Sequence, residues 1–319
     1  MTTKLFVLST ATPTSIYPWA QSNFLRVISA SKCAANARVV LAHDPEKADL
    51  IVFTESTSRF QLDVLMSSIY QAWPQKCFVF CFLDNPEPVI PGLYVGLQQR
   101  HLRAQLFEGA PYIRVADNVD LERVAATRHS TDLLFSFVGK VSNCPRVRGP
   151  LIEIDDDRAL LLNRDSGQSE NDQNYVEVLA RSKFVLCPRG IGPSSWRLFE
   201  TMRAGRVPVV ISDDWVPQIG IDWESCSLRV PESDIDSIST RLRALESSAA
   251  DMGHKARTEW LRCLSYDHVF SWIADRGVAI LQAAKAVDYR PNLSTAIGVG
   301  IRSRGPIALA RDVRQVFRR

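Results

Sequence analysis

The stretch SKFVLCPRGIGPSSWRLFETMRAGRVPVVISDDW, residues 182–215, decides the fold of this chain. Two short apolar runs, residues 183–187 and 207–211, predict buried strands. Between them lies a glycine-rich loop, followed by a helical segment that Ser194 or Ser195 can cap and that ends at a glycine. The order strand, loop, helix and strand is typical of an α/β protein.

The loop and the start of this helix have the features of an anion site. Free backbone N–H groups and the positive end of the helix dipole lie beside the loop, and phosphate is the usual occupant of such a place. Arg189 and Arg197 flank it, and we expect Gly190 to adopt a positive φ that lets a phosphate approach. The alternative is a plain turn with a surface pair of Arg197 and Glu200, worth about 0.2–0.5 kcal/mol.

This stretch, together with others along the chain, resembles the exostosin family of glycosyltransferases. Within the stretch the matching residues are Ser182, Phe184, Leu186, Pro188, Arg189, Gly190, Arg197, Leu198, Glu200, Ala204, Gly205, Pro208, Val209, Ser212 and Asp213. Further matches are HDPEKADL at 43–50, FSFVGK at 135–140 with Arg146 or Arg148, IDW at 221–223 and VPESDI at 230–235. These elements occur in the order of the family.

Strands that alternate with helices predict mostly parallel sheets covered on both faces. The resemblance implies an α/β protein with two Rossmann-like domains facing across a cleft, the GT-B fold. We expect residues 1–128 to form an acceptor-side domain and residues 129–265 to form the nucleotide-sugar-binding domain. Residues 266–289 are expected to form a helix that packs back on the first domain, and residues 290–319 a basic tail.

The apolar runs place the individual elements. The predicted strands cover residues 4–8, 38–41, 50–53, 77–83, 133–138, 159–162, 183–187 and 207–211. The predicted helices lie near residues 20–30, 61–71, 175–181, 194–204 and 266–286. A polar stretch at 123–131 is the expected boundary, and residues 85–88 and 91–92 are expected loops.

Transfer of a sugar from a nucleotide sugar requires stabilisation of the leaving diphosphate and binding of the ribose. Positive charge and helix N–H groups can stabilise the diphosphate, and a carboxylate can accept two hydrogen bonds from ribose hydroxyls. The resemblance implies the ribose role for Glu200. The candidate donor-binding residues are Lys140, Arg146, Arg148, Arg189, Gly190, Ser194, Ser195, Arg197 and Glu200.

An inverting transfer also needs a general base on the acceptor side. Asp84 and Glu55 follow predicted strands of the first half and are the candidates, with Arg189 as the third catalytic candidate; Asp117 and Asp213 are weaker ones. The triplet at 155–157 offers an alternative, because the other large glycosyltransferase fold uses Asp-x-Asp to hold a metal. We expect no metal and no cofactor.

Composition limits the class of protein. The chain has 319 residues, 46% hydrophobic and 23% charged, and a formal net charge of +3, which gives no reason to expect a nucleic-acid partner. Seven scattered cysteines without a C-x-x-C pair predict reduced structural thiols without zinc. No apolar run approaches the length of a membrane span, and Leu5–Leu8 is short for a signal-peptide core, so a cytoplasmic enzyme is expected.

The last thirty residues, 290–319, differ from the rest because they contain seven arginines and one acid, Asp312. They are read as a frayed, solvated tail, with a basic amphipathic helix on the inner face of a membrane as the alternative.

The function expected from these observations is a metal-independent, inverting glycosyltransferase of cell-surface polysaccharide synthesis. Its donor is a nucleoside-diphosphate sugar, with UDP as the carrier that the resemblance implies, and its acceptor is a glycan or lipid-linked glycan. The alternative is a non-catalytic nucleotide-sugar-binding subunit of a heteromeric transferase.

Overall fold

The computed structural model describes residues 2–10, 25, 38–54, 61–113, 120–127, 130–165 and 172–317. The chain divides into two compact units. The first comprises residues 1–115, 216–219 and 265–319, and the second comprises residues 116–215 and 220–264. The domain bounds 1–128 and 129–265 stay a prediction.

The elements follow one another as alternating strands and helices. The strands are β1 (Thr3–Leu8), β2 (Val39–Leu41), β3 (Leu50–Phe53), β4 (Cys77–Cys81), β5 (Gly92–Tyr94), β6 (Phe107–Gly109), β7 (Leu133–Gly139), β8 (Ala159–Asn163), β9 (Ser182–Pro188), β10 (Val207–Ile211) and β11 (Leu228–Val230). The helices are α1 (Leu62–Leu65), α2 (Ser68–Ala72), α3 (Asp120–Ala126), α4 (Pro145–Ile152), α5 (Asp172–Arg181), α6 (Trp196–Arg203), α7 (Trp223–Cys226), α8 (Ile238–Leu245), α9 (Ala249–Glu259), α10 (Val269–Ala286) and α11 (Leu293–Phe317).

The first unit is built on a six-stranded sheet in the order β2-β1-β3-β4-β5-β6. All of its strand pairs are parallel, with Leu5 beside Leu50 and Val79 beside Gly92. Strands β3 and β4 are buried at every position, as expected of parallel strands enclosed on both faces.

Helix α10 belongs to the first unit although it comes late in the chain. A Cβ atom added at Gly277 would lie 2.9 Å from Cζ of Phe78, so the helix backbone lies close against β4. The Arg276 guanidinium donates to both carboxylate oxygens of Glu108 in β6, with Nε 2.7 Å from Oε2. Glu108 is only 1% exposed.

The second unit is built on a five-stranded parallel sheet in the order β11-β10-β9-β7-β8. Its core includes the fully buried rings of Phe135, Phe137 and Phe184. The α/β class with two Rossmann-like units is therefore confirmed.

The predicted elements that the structure describes agree with it most closely at the buried strands. Residues 50–53 and 207–211 form strands with the predicted bounds, and the ends of the other predicted strands differ by one or two residues. The helix predicted at 61–71 is two short helices, α1 and α2. The expected loop at 91–92 is wrong because β5 begins at Gly92, and the polar stretch 123–131 begins inside α3. The helix predicted at 20–30 lies outside the described residues, residue 25 excepted.

The expectation of a frayed tail is wrong for residues 293–317. They form helix α11, which bends at Gly305, where φ is 76°. Ala296 and Leu309 of this helix are buried in the core of the first unit. Burial of these apolar side chains orders a segment whose arginines had suggested solvation. Among the residues described, none of the helices has the length and apolarity needed to span a membrane.

Acid should weaken the second unit through Glu246. The carboxylate accepts hydrogen bonds from Arg158 at 2.7 Å and Lys183 at 2.5 Å, and these partners lower its pKa to about 2. A carboxyl whose folded pKa is depressed contributes stability above its unfolded pKa and loses that contribution as the pH falls through the folded value. We expect Glu246→Gln to lower the urea midpoint at pH 7, and the difference from the native protein to shrink between about pH 4.5 and pH 2.

The urea midpoint measured across this pH range tests the pair. The exposed Glu153 provides the control, because Glu153→Gln should leave the midpoint nearly unchanged at every pH. A Glu246→Gln deficit that stays constant from pH 7 to pH 2 would contradict the assignment.

Candidate active site

The candidate site lies at the carboxyl edge of the second sheet, where β7, β9 and β10 end. Ligands of open parallel sheets bind at this edge because the loops that follow the strands gather there. Strand β9 ends at Pro188 and α6 begins at Trp196, with Ser195 in the N-cap position. The Ser195 hydroxyl makes no capping hydrogen bond, which leaves the N–H groups of the first turn to other partners.

Arg148 on α4 joins the ends of two neighbouring strands. Its Nε donates to the carbonyl of Arg189 and its Nη1 to the carbonyl of Lys140, both at 2.8 Å. The guanidinium also lies over the Phe137 ring, 5.8 Å from the centroid. Burial, followed by the positive charge of Arg197, lowers the pKa of Arg148 to about 10. Arg148 therefore holds the shape of the loop and adds a positive charge close to that of Arg197.

Arg197 in the first turn of α6 points along the same edge. Its Nη2 donates to the carbonyl of Val138, and its guanidinium stacks on Phe137 at 4.8 Å. A Cβ atom at Gly139 would lie 2.6 Å from Nη2 of Arg197, so this glycine makes room for the guanidinium. Arg197 thus bonds to the end of β7 rather than forming the plain surface pair with Glu200.

Gly190 differs from the expectation of a positive φ. The glycines with positive φ among the described residues are Gly205, Gly220 and Gly305. A Cβ atom at Gly190 would instead lie 3.2 Å from Nη2 of Arg148. A side chain at this position would press on the Arg148 guanidinium, which hydrogen bonds to the carbonyls of Arg189 and Lys140 hold in place. The loop therefore favours a small residue because of this contact and not because of the glycine's own dihedral angle.

Arg189 meets acidic partners that the sequence analysis did not assign to the site. Its Nη1 lies 3.5 Å from Oε1 of Glu232 and 3.6 Å from Oδ2 of Asp214. Glu232 has a nearly buried side chain and also accepts from the Asp213 N–H at 3.2 Å and from Nη2 of Arg146 at 2.8 Å. The signal for Glu232 was the VPESDI run of the resemblance, which gave no role to the glutamate itself.

Several polar atoms around the loop are buried without a partner among the residues that the structure describes. They are Nε of Arg189, Oγ of Ser194, Nε of Arg197 and Oγ of Ser212. A buried donor left unpaired costs about 1–3 kcal/mol. An anion with several acceptor oxygens is the kind of group that could pair with such donors.

Glu200 lies one turn further along α6. The hydroxyl of Tyr175 donates to its Oε2 at 2.7 Å. Burial, followed by the negative charge of Glu200, raises the pKa of Tyr175 well above its ordinary value. Tyr175 therefore stays protonated at neutral pH and holds one carboxylate oxygen of Glu200 in place.

Replacement of Glu200 should weaken nucleotide binding more than phosphate binding. If the carboxylate holds ribose hydroxyls, Glu200→Ala removes hydrogen bonds to a charged group and should raise the dissociation constant of UDP about ten- to a hundredfold. Tyr175→Phe should raise it less, about threefold to tenfold, because the carboxylate stays and loses only its positioning bond. Calorimetric titration of UDP and of pyrophosphate measures both effects.

The matched control is the exposed Glu177, which lies on the same helix as Tyr175. Glu177→Ala should bind UDP like the native protein, and pyrophosphate should bind all of these variants equally. Unchanged UDP affinity in Glu200→Ala would remove the ribose role.

The remaining predicted donor-binding residues also lie in the second unit. Lys140 is exposed at the end of β7, and Ser194 and Ser195 are buried before α6. Arg146 is 83% exposed apart from its contact with Glu232. Lys140, Arg146, Arg148, Arg189, Gly190, Ser194, Ser195, Arg197 and Glu200 all belong to the second unit.

The acceptor-side candidates lie in the first half of the chain. Asp84 follows β4 in the first unit and accepts a hydrogen bond from the Tyr112 hydroxyl at 3.2 Å. Glu55 and Asp117 lie outside the described residues. The general base therefore stays a prediction.

The aspartate triplet at 155–157 has an arginine partner. Nη2 of Arg243 lies 2.9 Å from Oδ1 of Asp156 and 2.9 Å from Oδ1 of Asp157. In the part of the chain that the structure describes, no group of three His, Cys, Asp or Glu residues is arranged to hold a metal ion.

The candidate site at the edge of the second sheet lies within a stretch that matches a known protein family. Residues 98–245 match the model of the Exostosin GT47 domain. This part of the chain is exostosin-like. The resemblance seen in the sequence is confirmed, and the matched range includes the β9–α6 loop, Glu200 and Glu232.

Curated relatives of this chain are named glycosyltransferases or exostosins. An exostosin-1 homolog of Caenorhabditis elegans is 40% identical over 126 residues, which is 35% of this chain and 32% of that protein. A "probable glucuronosyltransferase" of Oryza sativa subsp. japonica and a "probable beta-1,4-xylosyltransferase" of Arabidopsis thaliana are each 37% identical over 79 residues, which is 24% of this chain and 19% of theirs. The chain thus aligns with a third or less of the length of these relatives.

Solved structures show a weaker likeness. WaaG, a glycosyltransferase involved in lipopolysaccharide biosynthesis, has a TM-score of 0.38 at 11% identity over 87% of this chain and 99% of its own. HepE of Anabaena in complex with UDP has a TM-score of 0.39 at 9% identity over 90% of this chain and 99% of its own. TM-scores and sequence identities as low as these support no conclusion about this chain.

Proposed function

We propose that this protein transfers a sugar from a nucleoside-diphosphate sugar, with UDP as the carrier, to a glycan or lipid-linked glycan. The observation that carries the proposal is a pair of partly buried arginines, Arg189 and Arg197, whose buried Nε atoms lack partners in the described protein beside the start of α6. The match to the exostosin domain and the names of the relatives support the same reaction class.

The carboxyl edge of the second sheet is proposed to bind the diphosphate of the donor. Negative charge grows on the diphosphate as the sugar leaves, and fixed positive groups in a partly buried site stabilise it without reorganisation. Arg197 and the N-terminal turn of α6 would receive the phosphates, while Arg148 keeps the loop in shape. The acidic partners Glu232 and Asp214 hold Arg189 in place.

The transfer is proposed to be metal-independent and inverting. Guanidinium groups supply the positive charge that a divalent ion supplies elsewhere. Asp84 is the proposed general base, since it follows a strand of the first sheet and the Tyr112 hydroxyl orients its carboxylate. Glucuronic acid or a pentose is the donor sugar that the relatives' names favour.

The setting of the reaction is also part of the proposal. We place the enzyme on the cytoplasmic side of a membrane in cell-surface polysaccharide synthesis, with helix α11 towards the lipid. The support is the excess of arginine over acid in residues 290–319.

Nucleotide binding is the first experiment. The chain is titrated with UDP, GDP, CMP and TDP, with and without EDTA, by thermal shift and calorimetry. A ligand that binds only the folded state raises the melting temperature by mass action. We expect UDP to bind selectively and EDTA to have no effect.

Two results would overturn parts of the proposal. Absence of binding by all four nucleotides would exclude a nucleotide-sugar site, and loss of binding in EDTA would exclude metal independence. UDP binding without sugar transfer by the isolated chain would favour the non-catalytic subunit instead.

A further inference from the structure

A cavity is lined by residues of the first unit alone. Its volume is about 950 Å³, at the upper end of the size range of ligand pockets. Its walls come from helices α1 and α2, the segment that leads into β4, and the connection between α10 and α11. Its lining includes Leu65, Tyr70, Cys77, Ala284, Lys285 and Arg290.

The cavity opens at the amino edge of the first sheet. Cys77 is the first residue of β4, and Pro91 immediately precedes β5. Asp84, by contrast, follows the carboxyl end of β4. The cavity therefore lies at the opposite edge of this sheet from the proposed general base, and it is a separate site.

The inner wall of the cavity is apolar. Leu65, Cys77 and Ala284 are all less than a tenth exposed. Burial raises the pKa of the Cys77 thiol to about 12, so the thiol is uncharged at neutral pH. The hydroxyl of Tyr70 is already engaged, because it donates to the carbonyl of Pro291 at 3.3 Å. The interior thus suits hydrocarbon.

The mouth of the cavity is cationic and bordered by apolar side chains. Lys285 and Arg290 line the mouth and are exposed. Arg290 forms an ion pair with Asp288, in which Nε of Arg290 lies 2.7 Å from Oδ1 of Asp288. Val287 is 66% exposed and Leu293 is 44% exposed beside them. Exposed apolar side chains grouped around a pocket mark a contact site more often than isolated ones do.

We propose that this cavity binds the hydrocarbon chain of an anionic amphiphile, with the chain against Leu65, Cys77 and Ala284 and the phosphate or carboxylate head on Lys285. The combination of an apolar inner wall and a cation at the rim selects a ligand that is apolar along its length and negative at one end. The proposal does not depend on the sugar-transfer reaction.

Dodecyl phosphate below its micelle concentration is the probe, titrated into the full chain by calorimetry. We expect saturable binding to one site, no binding of inorganic phosphate at the same concentration, and at least fivefold weaker binding of the uncharged dodecyl maltoside. Equal binding of the charged and uncharged amphiphiles would overturn the role of the cationic rim. Absence of dodecyl phosphate binding would overturn the whole site.

Two variants separate the cavity from non-specific adsorption. Ala284→Phe fills the cavity and should weaken dodecyl phosphate binding at least tenfold, whereas Ala283→Phe on the neighbouring position, which does not line it, should not. Lys285→Gln changes only an exposed side chain and should weaken dodecyl phosphate binding about fivefold without changing the affinity for dodecyl maltoside. Native affinity in both Ala284→Phe and Lys285→Gln would place the amphiphile elsewhere.

A further experiment identifies the source of the amphiphile. Vesicles of phosphatidylcholine containing phosphatidylglycerol are added to the complex with dodecyl phosphate. Displacement by these vesicles, but not by pure phosphatidylcholine vesicles, identifies a bilayer lipid as the occupant. Retention of dodecyl phosphate identifies a single-chain amphiphile taken from solution. UDP affinity should be native in every variant, which keeps this test independent of the proposed transferase activity.

Discussion

Replacement of Arg197 by Ala should raise the dissociation constants of UDP and of pyrophosphate about a hundredfold and lower the rate of sugar transfer about a hundred- to a thousandfold. Loss of one preorganised donor to a developing anion typically has an effect of this size on the rate. The buried Nε of Arg197 lacks a partner in the described protein, and the N-terminus of α6 lies beside it. The Val138 carbonyl and the Phe137 ring hold the guanidinium, so its position is fixed before a diphosphate binds.

Arg197→Lys distinguishes charge from geometry. Lysine keeps the positive charge but not the planar fork that donates to the Val138 carbonyl and stacks on Phe137. We expect it to recover part of the pyrophosphate affinity and little of the transfer rate. Arg241→Ala is the control, because this arginine is part of an exposed pair with Asp234 in the same unit.

The comparison of UDP with pyrophosphate is what makes this result specific. The Glu200→Ala variant should lose UDP affinity alone, whereas Arg197→Ala should lose both. Native pyrophosphate affinity in Arg197→Ala would contradict the proposed diphosphate site, and the residue would then serve only the packing of α6 on β7.

The three central strands of the second sheet could be predicted from local sequence because they are nearly continuous apolar runs. Residues 133–138, 183–187 and 207–211 lie in buried parallel strands, and apart from Ser136 and Lys183 they are apolar. The β9–α6 loop could be placed for the same reason, since its glycines and prolines stand directly between two such runs.

The elements that the sequence did not predict are those that depend on contacts with distant parts of the chain. Strands β5 and β6 have three residues each and include glycine, so their own pattern is too short to mark them. Helix α11 reads as a solvated basic tail because the residues that bury Ala296 and Leu309 belong to distant parts of the first unit.

The site itself was predicted at the level of residue types but not of partners. The side chains of Arg146, Arg148, Arg189 and Arg197 carry the same charge. Nothing in the spacing shows that Arg148 holds backbone carbonyls while Nε of Arg197 has no partner among the described residues. Glu232 follows β11 and lies 43 residues after Arg189 in the sequence, so only the fold could bring the two together.

Replacement of Arg276 by Met should destabilise the protein by about 3–5 kcal/mol, more than any other single change considered. The substitution removes the guanidinium that donates to both oxygens of Glu108, a carboxylate that is 1% exposed. An unpaired charge buried at this depth has lost its hydration without compensation. The free energy of unfolding in urea, measured by circular dichroism, gives the loss directly.

A double-mutant cycle assigns that loss to the pair. Glu108→Leu combined with Arg276→Met removes both charges, and because buried ion pairs contribute little compared with apolar residues of similar size, we expect the double variant to recover most of the stability. Lys47→Met breaks the exposed pair with Asp44 in the same unit and should cost less than about 1 kcal/mol. If Arg276→Met costs no more than Lys47→Met, the carboxylate of Glu108 reaches solvent or another donor, and helix α10 is held on the first sheet by its apolar face alone.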